Sequence, residues 1–241
     1  MACEVETCQV HSQEASEATE EEYVIVCEAA ATEEDKENII ACGREDSIAC
    51  GREDSIACVV FDWDDTLFAT THVVFQNQQD SCCRKLDSLV TEILAEALQL
   101  SQVYIITNAT ANWVESCAQQ FLPNVVPLLK QVVILSARHL YEPHYPNEPG
   151  AWKRDAFKHI PQHKHIISIG DSDYERHAVI DLCATLPHTF CKSVKFQVCP
   201  SLDQLVAELE CISHNIPYII AHEGHLDLSI TVHQLRKDLI L

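Results

Sequence analysis

The chain has 241 residues, 47% of them hydrophobic, so it can bury a core of ordinary size, and its formal net charge is −21. Binding to nucleic acid and to anionic membrane surfaces normally needs a basic face, so both are disfavoured as partners. No basic start followed by an apolar stretch marks a signal peptide, and no run of about 18 apolar residues predicts a membrane span. The thirteen cysteines, odd in number and without a Cys-x-x-Cys pair, suit free thiols in a reducing, cytoplasmic compartment better than a disulfide framework.

The first 57 residues carry 16 acids and 3 bases, against 21 and 13 in the remaining 184. Apart from one apolar patch at Tyr23–Val26, this segment is too polar and too charged to offset chain entropy. It is expected to be a largely disordered acidic tail over residues 1–55. Within it GREDSIAC occurs twice, at Gly43–Cys50 and Gly51–Cys58. Two copies of eight residues cannot build a solenoid. Each copy ends in Ile-Ala-Cys, so either can supply the start of the strand that follows. We read the repeat as a lengthened linker.

From Ile56 onward strands and helices alternate. IACVVF predicts a buried strand, and Leu86, Leu89, Val90, Ile93, Leu94, Ala97 and Leu98 recur at helical spacing. VYIIT (103–107) is a strand, followed by a helix over 111–122 whose apolar stripe holds Trp113, Val114, Cys117 and Phe121. QVVIL (131–135), a helix over 151–160, HIISIG (165–170), a helix over 174–186, SVKFQV (193–198) and a helix over 201–212 capped by Ser201 complete the series. Five apolar strands separated by helices predict a parallel sheet covered on both faces, a three-layer α/β sandwich of Rossmann-like type. The catalytic unit is expected over 56–215. Residues 216–241 hold one candidate strand, PYIIAH, and form an extension of uncertain packing.

The predicted strand ends carry unusual chemistry. The first runs into Asp62-Trp63-Asp64-Asp65-Thr66, the second into Thr107-Asn108, and the fourth into Gly170-Asp171-Ser172-Asp173-Tyr174-Glu175. A helix between the third and fourth contributes Lys153. In a parallel sheet these ends share one edge, where ligands of such folds bind. Clustered carboxylates repel one another unless a cation sits among them, and an all-oxygen set points to Mg²⁺. Lys153 and Thr107 could hold phosphate oxygens. One of Asp62 and Asp64 could attack phosphorus while the other moves a proton.

Other residues near these ends read as structural. Asp65 suits a solvated turn, and Asn108 either orients phosphate or caps a helix. Arg138 suits a surface salt bridge, and His139, His144 and His188 lie in predicted loops. Trp63 either covers the site or packs at the strand end, and Cys58 suits the core.

FDWDDTLF, ITNA, the Lys153 of AWKRDAF, and IGDSDYE occur in the order of the four motifs of the haloacid dehalogenase superfamily, which this chain resembles over residues 58–175. The resemblance implies that Asp62 is the nucleophile of an aspartyl-phosphate pathway and that Asp64 is the general acid and base. It implies that Thr107 and Lys153 hold the phosphoryl oxygens, and Asn108 remains a candidate beside them. Mg²⁺ would then lie on Asp62, the backbone carbonyl of Asp64, and Asp171, supported by Asp173 or Glu175. An acid at position 64 implies a phosphatase or a phosphomutase, not a dehalogenase. The 44 residues between Asp62 and Thr107 and the 45 between Thr107 and Lys153 leave no room for a cap domain. A capless, open site suits a phosphorylated substrate that is either a small molecule or a phosphoprotein. A non-catalytic phospho-ligand-binding scaffold and a phosphomutase are the alternatives.

Overall fold

The computed structural model describes residues 23–29, 56–75 and 82–234. Among them seven strands form one sheet. They are β1 (Tyr23–Ala29), β2 (Ala57–Phe61), β3 (Gln102–Thr107), β4 (Val133–Ser136), β5 (His165–Gly170), β6 (Phe190–Lys195) and β7 (Leu226–Gln234), in the spatial order β1-β7-β6-β5-β2-β3-β4. All neighbours from β7 to β4 pair in parallel, and β1 joins β7 antiparallel. The helices are α1 (Cys82–Leu100), α2 (Trp113–Phe121), α3 (Val126–Leu129), α4 (Ala137–Tyr141), α5 (Pro149–Phe157), α6 (Asp173–Thr185) and α7 (Leu202–Ala221).

Side chains alternate across the strands, so each strand feeds two cores. Val59, Phe61, Val103, Ile105, Ile167 and Ile169 face α1, α2 and α7. Cys58, Val60, Tyr104, Ile106 and Ile166 face α5 and α6. Burial on both faces explains why β2 and β5 read as continuous apolar runs. The α/β class and the Rossmann-like layering are as expected from the sequence. No helix among the described residues is long and apolar enough to cross a membrane.

Three local expectations change. The parallel sheet has six strands, because Leu226–Gln234 adds to β6. The segment PYIIAH is helical, not a strand. Ile212, Ile216, Ile219 and Ile220 continue the buried stripe of α7 at helical spacing, and this packing carries the helix through Pro217 to Ala221. Helix α7 therefore runs past residue 215, the expected end of the unit. Within the tail, Tyr23–Ala29 is a strand on the free edge of β7, from Tyr23 opposite Gln234 to Ala29 opposite Leu228. The rest of 1–55, including Gly43–Ser55 of the repeat, lies outside the described residues. Smaller shifts are the start of β6 at Phe190 and the start of α5 at Pro149. Ser201 caps α7 as expected, its hydroxyl accepting from the backbone N–H of Gln204.

Strand order decides where the site lies. The chain begins this parallel array at β2, winds outward through β3 and β4, then crosses back to β5, β6 and β7. The reversal falls between β2 and β5, and the crevice beyond their carboxyl ends is the favoured ligand position. Asp62 follows β2 and Asp171 follows β5.

Candidate active site

Lys153 stands at the centre of this crevice. It is 0% exposed, and its Nζ lies 2.7 Å from Asp62 Oδ1 and 2.7 Å from Glu175 Oε1. The same ammonium donates to the backbone carbonyl of Ile106, near the end of β3. Three partners match the three donors of a lysine. Burial works against its charge, but Asp62 and Glu175 outweigh burial and raise its pKa above the ordinary lysine value.

Asp62, Asp171 and Glu175 each bring a carboxylate oxygen within 4.8 Å of the others. Burial pushes Asp62 well above the usual carboxylate range; Lys153 opposes this, and the charges of Glu175, Asp171 and Asp64 add to it. Burial, then Glu175 and Asp65, push Asp171 up to about 7. Glu175 moves the other way. Its own burial is overcome by Lys153 and by hydrogen bonds from Lys153 and Ser172. Three carboxylates thus face one ammonium, and the unbalanced charge falls on Asp62 and Asp171. A divalent cation with oxygen ligands fits that imbalance. Oδ2 of Asp62 receives no hydrogen bond among the described residues, whereas both oxygens of Glu175 are engaged. Asp62 and Asp171 are therefore the candidate direct ligands, with Glu175 behind them.

Local sequence explains the choice of Glu175 over Asp173. Ser172 is the N-cap of α6 and Glu175 its third residue, and the two form a reciprocal capping box. The box folds Glu175 back under the strand end, where it is 3% exposed, while Asp173 faces solvent. Gly170 makes room: a Cβ there would lie 2.5 Å from Glu175 Cγ. The Ser-x-x-Glu spacing was readable in the sequence and would have decided between the two acids.

Asp64 sits beside the triad and does not join it. Its Oδ1 accepts from Thr70 Oγ1 at 2.6 Å and Trp113 Nε1 at 2.8 Å, and its Oδ2 accepts from Thr107 Oγ1 at 3.0 Å. The turn that aims it inward is tight. Trp63 O accepts from the backbone N–H groups of Leu67 and Phe68 at 3.0 Å, and Asp65 N donates to Phe68 O at 2.7 Å. Asp65 adopts a left-handed φ of 56° within this turn, a conformation Asp tolerates better than most residues.

Asp65 is not a solvated turn residue. It is buried, and its carboxylate accepts from the backbone N–H and hydroxyl of Thr71, fastening a π-helical turn at Thr71–Phe75. Asn108 does not cap α2; its Nδ2 donates to Pro149 O at 3.4 Å, linking the end of β3 to the start of α5. Arg138 pairs with Glu142 on the surface at 2.9 Å. His139, His144 and His188 are exposed, Trp63 is fully buried in the core, and Cys58 is a core residue of β2.

Sequence reasoning missed four contributors. Thr70 and Trp113 hold Asp64; Trp113 gave only an apolar-stripe signal. Lys195, at the end of β6, donates to the backbone carbonyl of Asp171 at 3.0 Å. Glu208 of α7 is 0% exposed, accepts from Gln197 N at 2.7 Å, and is pushed up to about 8, mainly by burial.

The fold and this cluster define an α/β protein with a carboxylate–lysine crevice at the switch point of a parallel sheet. No protein-family profile, no curated protein and no solved structure matches the chain.

Proposed function

We propose that the chain is a Mg²⁺-dependent phosphatase of haloacid dehalogenase type, hydrolysing a phosphate monoester through an aspartyl-phosphate on Asp62. The observation that carries this reading is the buried contact of Lys153 with Asp62 at 2.7 Å, next to a second aspartate, Asp64, hydrogen-bonded to Thr107 at 3.0 Å. A carboxylate nucleophile, a fixed cation and a separately held acid–base group are the parts phosphoryl transfer from a monoester needs.

An Asp62 oxygen attacks phosphorus, and the ester oxygen departs with a proton from Asp64. A water molecule then gives its proton to Asp64 and attacks the phosphoryl group, releasing inorganic phosphate and restoring Asp62. Lys153 offsets charge on the nucleophile and on the phosphoryl oxygens throughout. Thr107 has one hydroxyl proton. When it turns to a phosphoryl oxygen it releases Asp64 Oδ2, leaving Asp64 held by Thr70 and Trp113. Asp62 and Asp171 would hold the Mg²⁺, which when bound would further neutralise phosphate charge.

Among the described residues, only the π-helical turn and α1 separate β2 from β3, and α2, α3, β4 and α4 fill the span from β3 to α5. This supports an open site, accessible to a phosphoprotein as well as to a small phosphate ester.

The test is hydrolysis of an aryl phosphate by purified protein. Activity is expected with Mg²⁺, none after chelation, and a loss of at least about a thousandfold in Asp62→Asn, as for removal of a covalent nucleophile. Undiminished turnover by Asp62→Asn would overturn the assignment. A screen of phosphopeptides, sugar phosphates and nucleotides then identifies the substrate class.

A further inference from the structure

A second chemical feature lies at the other side of α6, independent of the phosphatase reading. Cys183, near the end of α6, and Cys191, near the start of β6, line one surface pocket of about 370 Å³ together with Ile180, His225 and Asp227. Both belong to one apolar cluster, Cys183 within it and Cys191 packed against it. The backbone N–H of Cys191 donates to His225 Nδ1 at 3.0 Å, which holds the imidazole at the pocket rim. Phe190 supports that ring edge-on, at 5.8 Å between centroids. Arg176 of α6 pairs with Asp227 of β7 and ties the pocket walls together.

We propose that Cys183 and Cys191 form a redox-active thiol pair that closes to an intramolecular disulfide when a low-molecular-weight disulfide such as oxidised glutathione enters this pocket.

The two thiols are not equivalent. Cys191 is half-buried and faces the pocket, whereas Cys183 is 9% exposed. The neighbouring Cys183 holds the Cys191 thiol below the usual thiol range. The core cysteine Cys117 shows the opposite, its thiol pushed up to about 12 by burial. Cys191 is thus the attacking group and Cys183 the resolving one. The Cys191 thiolate attacks one glutathione sulfur, forming a mixed disulfide and expelling a glutathione thiolate. Cys183, losing its proton to that thiolate or to solvent, then attacks the Cys191 sulfur and expels the second glutathione. Two protein thiols are oxidised and one glutathione disulfide is reduced to two thiols. The bridge would tether the end of α6, whose first turn carries Glu175, to β6.

The experiment uses the full chain, reduced, folded and exposed to oxidised glutathione. Free thiols are then blocked by alkylation and the protein is digested without reduction for peptide mapping. The expected result is a Cys183–Cys191 bridged peptide as the first intramolecular product. In Cys183→Ser, Cys191 is expected to carry glutathione instead. In Cys191→Ser, Cys183 is expected to stay reduced. The exposed Cys199 serves as an internal control. Glutathione on Cys199 with Cys183 and Cys191 both reduced would overturn the proposal, as would bridges linking either residue to other cysteines in preference to each other. The mapping reads thiols alone, so its outcome stands whether or not the protein hydrolyses phosphate esters.

Discussion

Two lysines, Lys153 and Lys192, are each 0% exposed in this molecule, yet they are neutralised in different ways at opposite edges of one sheet. Lys153, at the carboxyl edge, meets two carboxylates at 2.7 Å, and its pKa is raised. Lys192, a residue of β6, donates to the carbonyls of Ile219 at 2.6 Å and Ile220 at 2.9 Å, in the last turn of α7. Burial lowers it to about 7, with Glu223 opposing the shift and Lys164 adding to it. The helix end offers partial negative charge and unpaired carbonyls, which a cation caps without a carboxylate as its direct partner. Lys192 therefore completes a structure. Lys153 sits among more negative charge than it can cancel, an arrangement with no structural rationale of its own and one that a phosphate and a divalent cation would use. Burial alone does not separate these two lysines; surplus charge around one of them does.

The largest expected effect comes from removing the first of these cations. Lys153→Met leaves Asp62 and Glu175 buried without their partner, and breaking a buried pair costs about 3–5 kcal/mol. Aryl phosphatase activity is expected to vanish and the thermal midpoint to fall on the order of 10 °C. Retained activity would show that Lys153, like Lys192, serves only the fold.

Trp113→Phe tests the proposed acid–base arm with the lysine intact. It deletes one of three donors to Asp64 and keeps the ring. A hydrogen bond to a charged group is worth about 1.5–3 kcal/mol. A loss of kcat/KM of at least roughly tenfold is expected, with little change in unfolding midpoint. Equal losses of stability and rate would make Trp113 a packing residue.

Lys192→Met sharpens the other side of the comparison. Replacing a buried charge by a hydrophobe of similar volume is often close to neutral, here set against two carbonyls left without a donor, so a change within about 2 kcal/mol is expected and activity should persist. The pH dependence is the better readout. A lysine lowered from 10.5 to about 7 binds fewer protons folded than unfolded between those values, so its contribution makes stability rise with pH across that window. Chemical denaturation from pH 7 to 10 should show this rise in the parent and a flatter profile in Lys192→Met. His165, lowered to about 4 chiefly by burial and next by the charge of Lys192, adds a rise of the same sign between about pH 4 and 6.5, expected to be smaller in Lys192→Met. Parallel pH profiles above pH 7 would show that Lys192 stays charged in the fold.

The smallest effect is expected away from both lysines. Deleting Gly43–Cys58 places Ile40-Ala41-Cys42 directly before Val59, so β2 keeps its residues and its alternation of faces. A midpoint within about 5 °C of the parent and an unchanged rate are expected. A larger fall would mean that the repeat supports the domain.

Much of this could be read from the chain. The apolar runs of β2, β3 and β5 identify themselves because both faces are buried, and the alternation with helical stripes predicts parallel pairing. Asp62, Asp64, Thr107, Lys153 and Asp171 stand out because strand ends rarely carry such chemistry, and a parallel sheet must gather them at one edge. Glu175 was half legible: a local signal, the capping box, singles it out once Ser172 is taken as the helix start.

The rest depends on contacts distant in sequence. Strand β7 reads weakly because only part of it pairs with β6, while β1 lies some two hundred residues earlier in the chain. PYIIAH suits a strand until α7 packs on the sheet, where the burial of Ile216, Ile219 and Ile220 keeps the helix going past Pro217. Asn108 carried two readings, and the helix cap fails because the amide reaches Pro149 instead. Lys192 has no local feature that sets it apart from a surface lysine, and Cys183 and Cys191 none that sets them apart from core thiols. The amino-acid sequence by itself determined most of the elements and the residues at the sheet edge, since periodicity and strand ends are local properties. Which acid turns inward, which lysine faces surplus charge and which thiols meet were decided only by tertiary structure, because burial and charge balance depend on the neighbours that packing brings together.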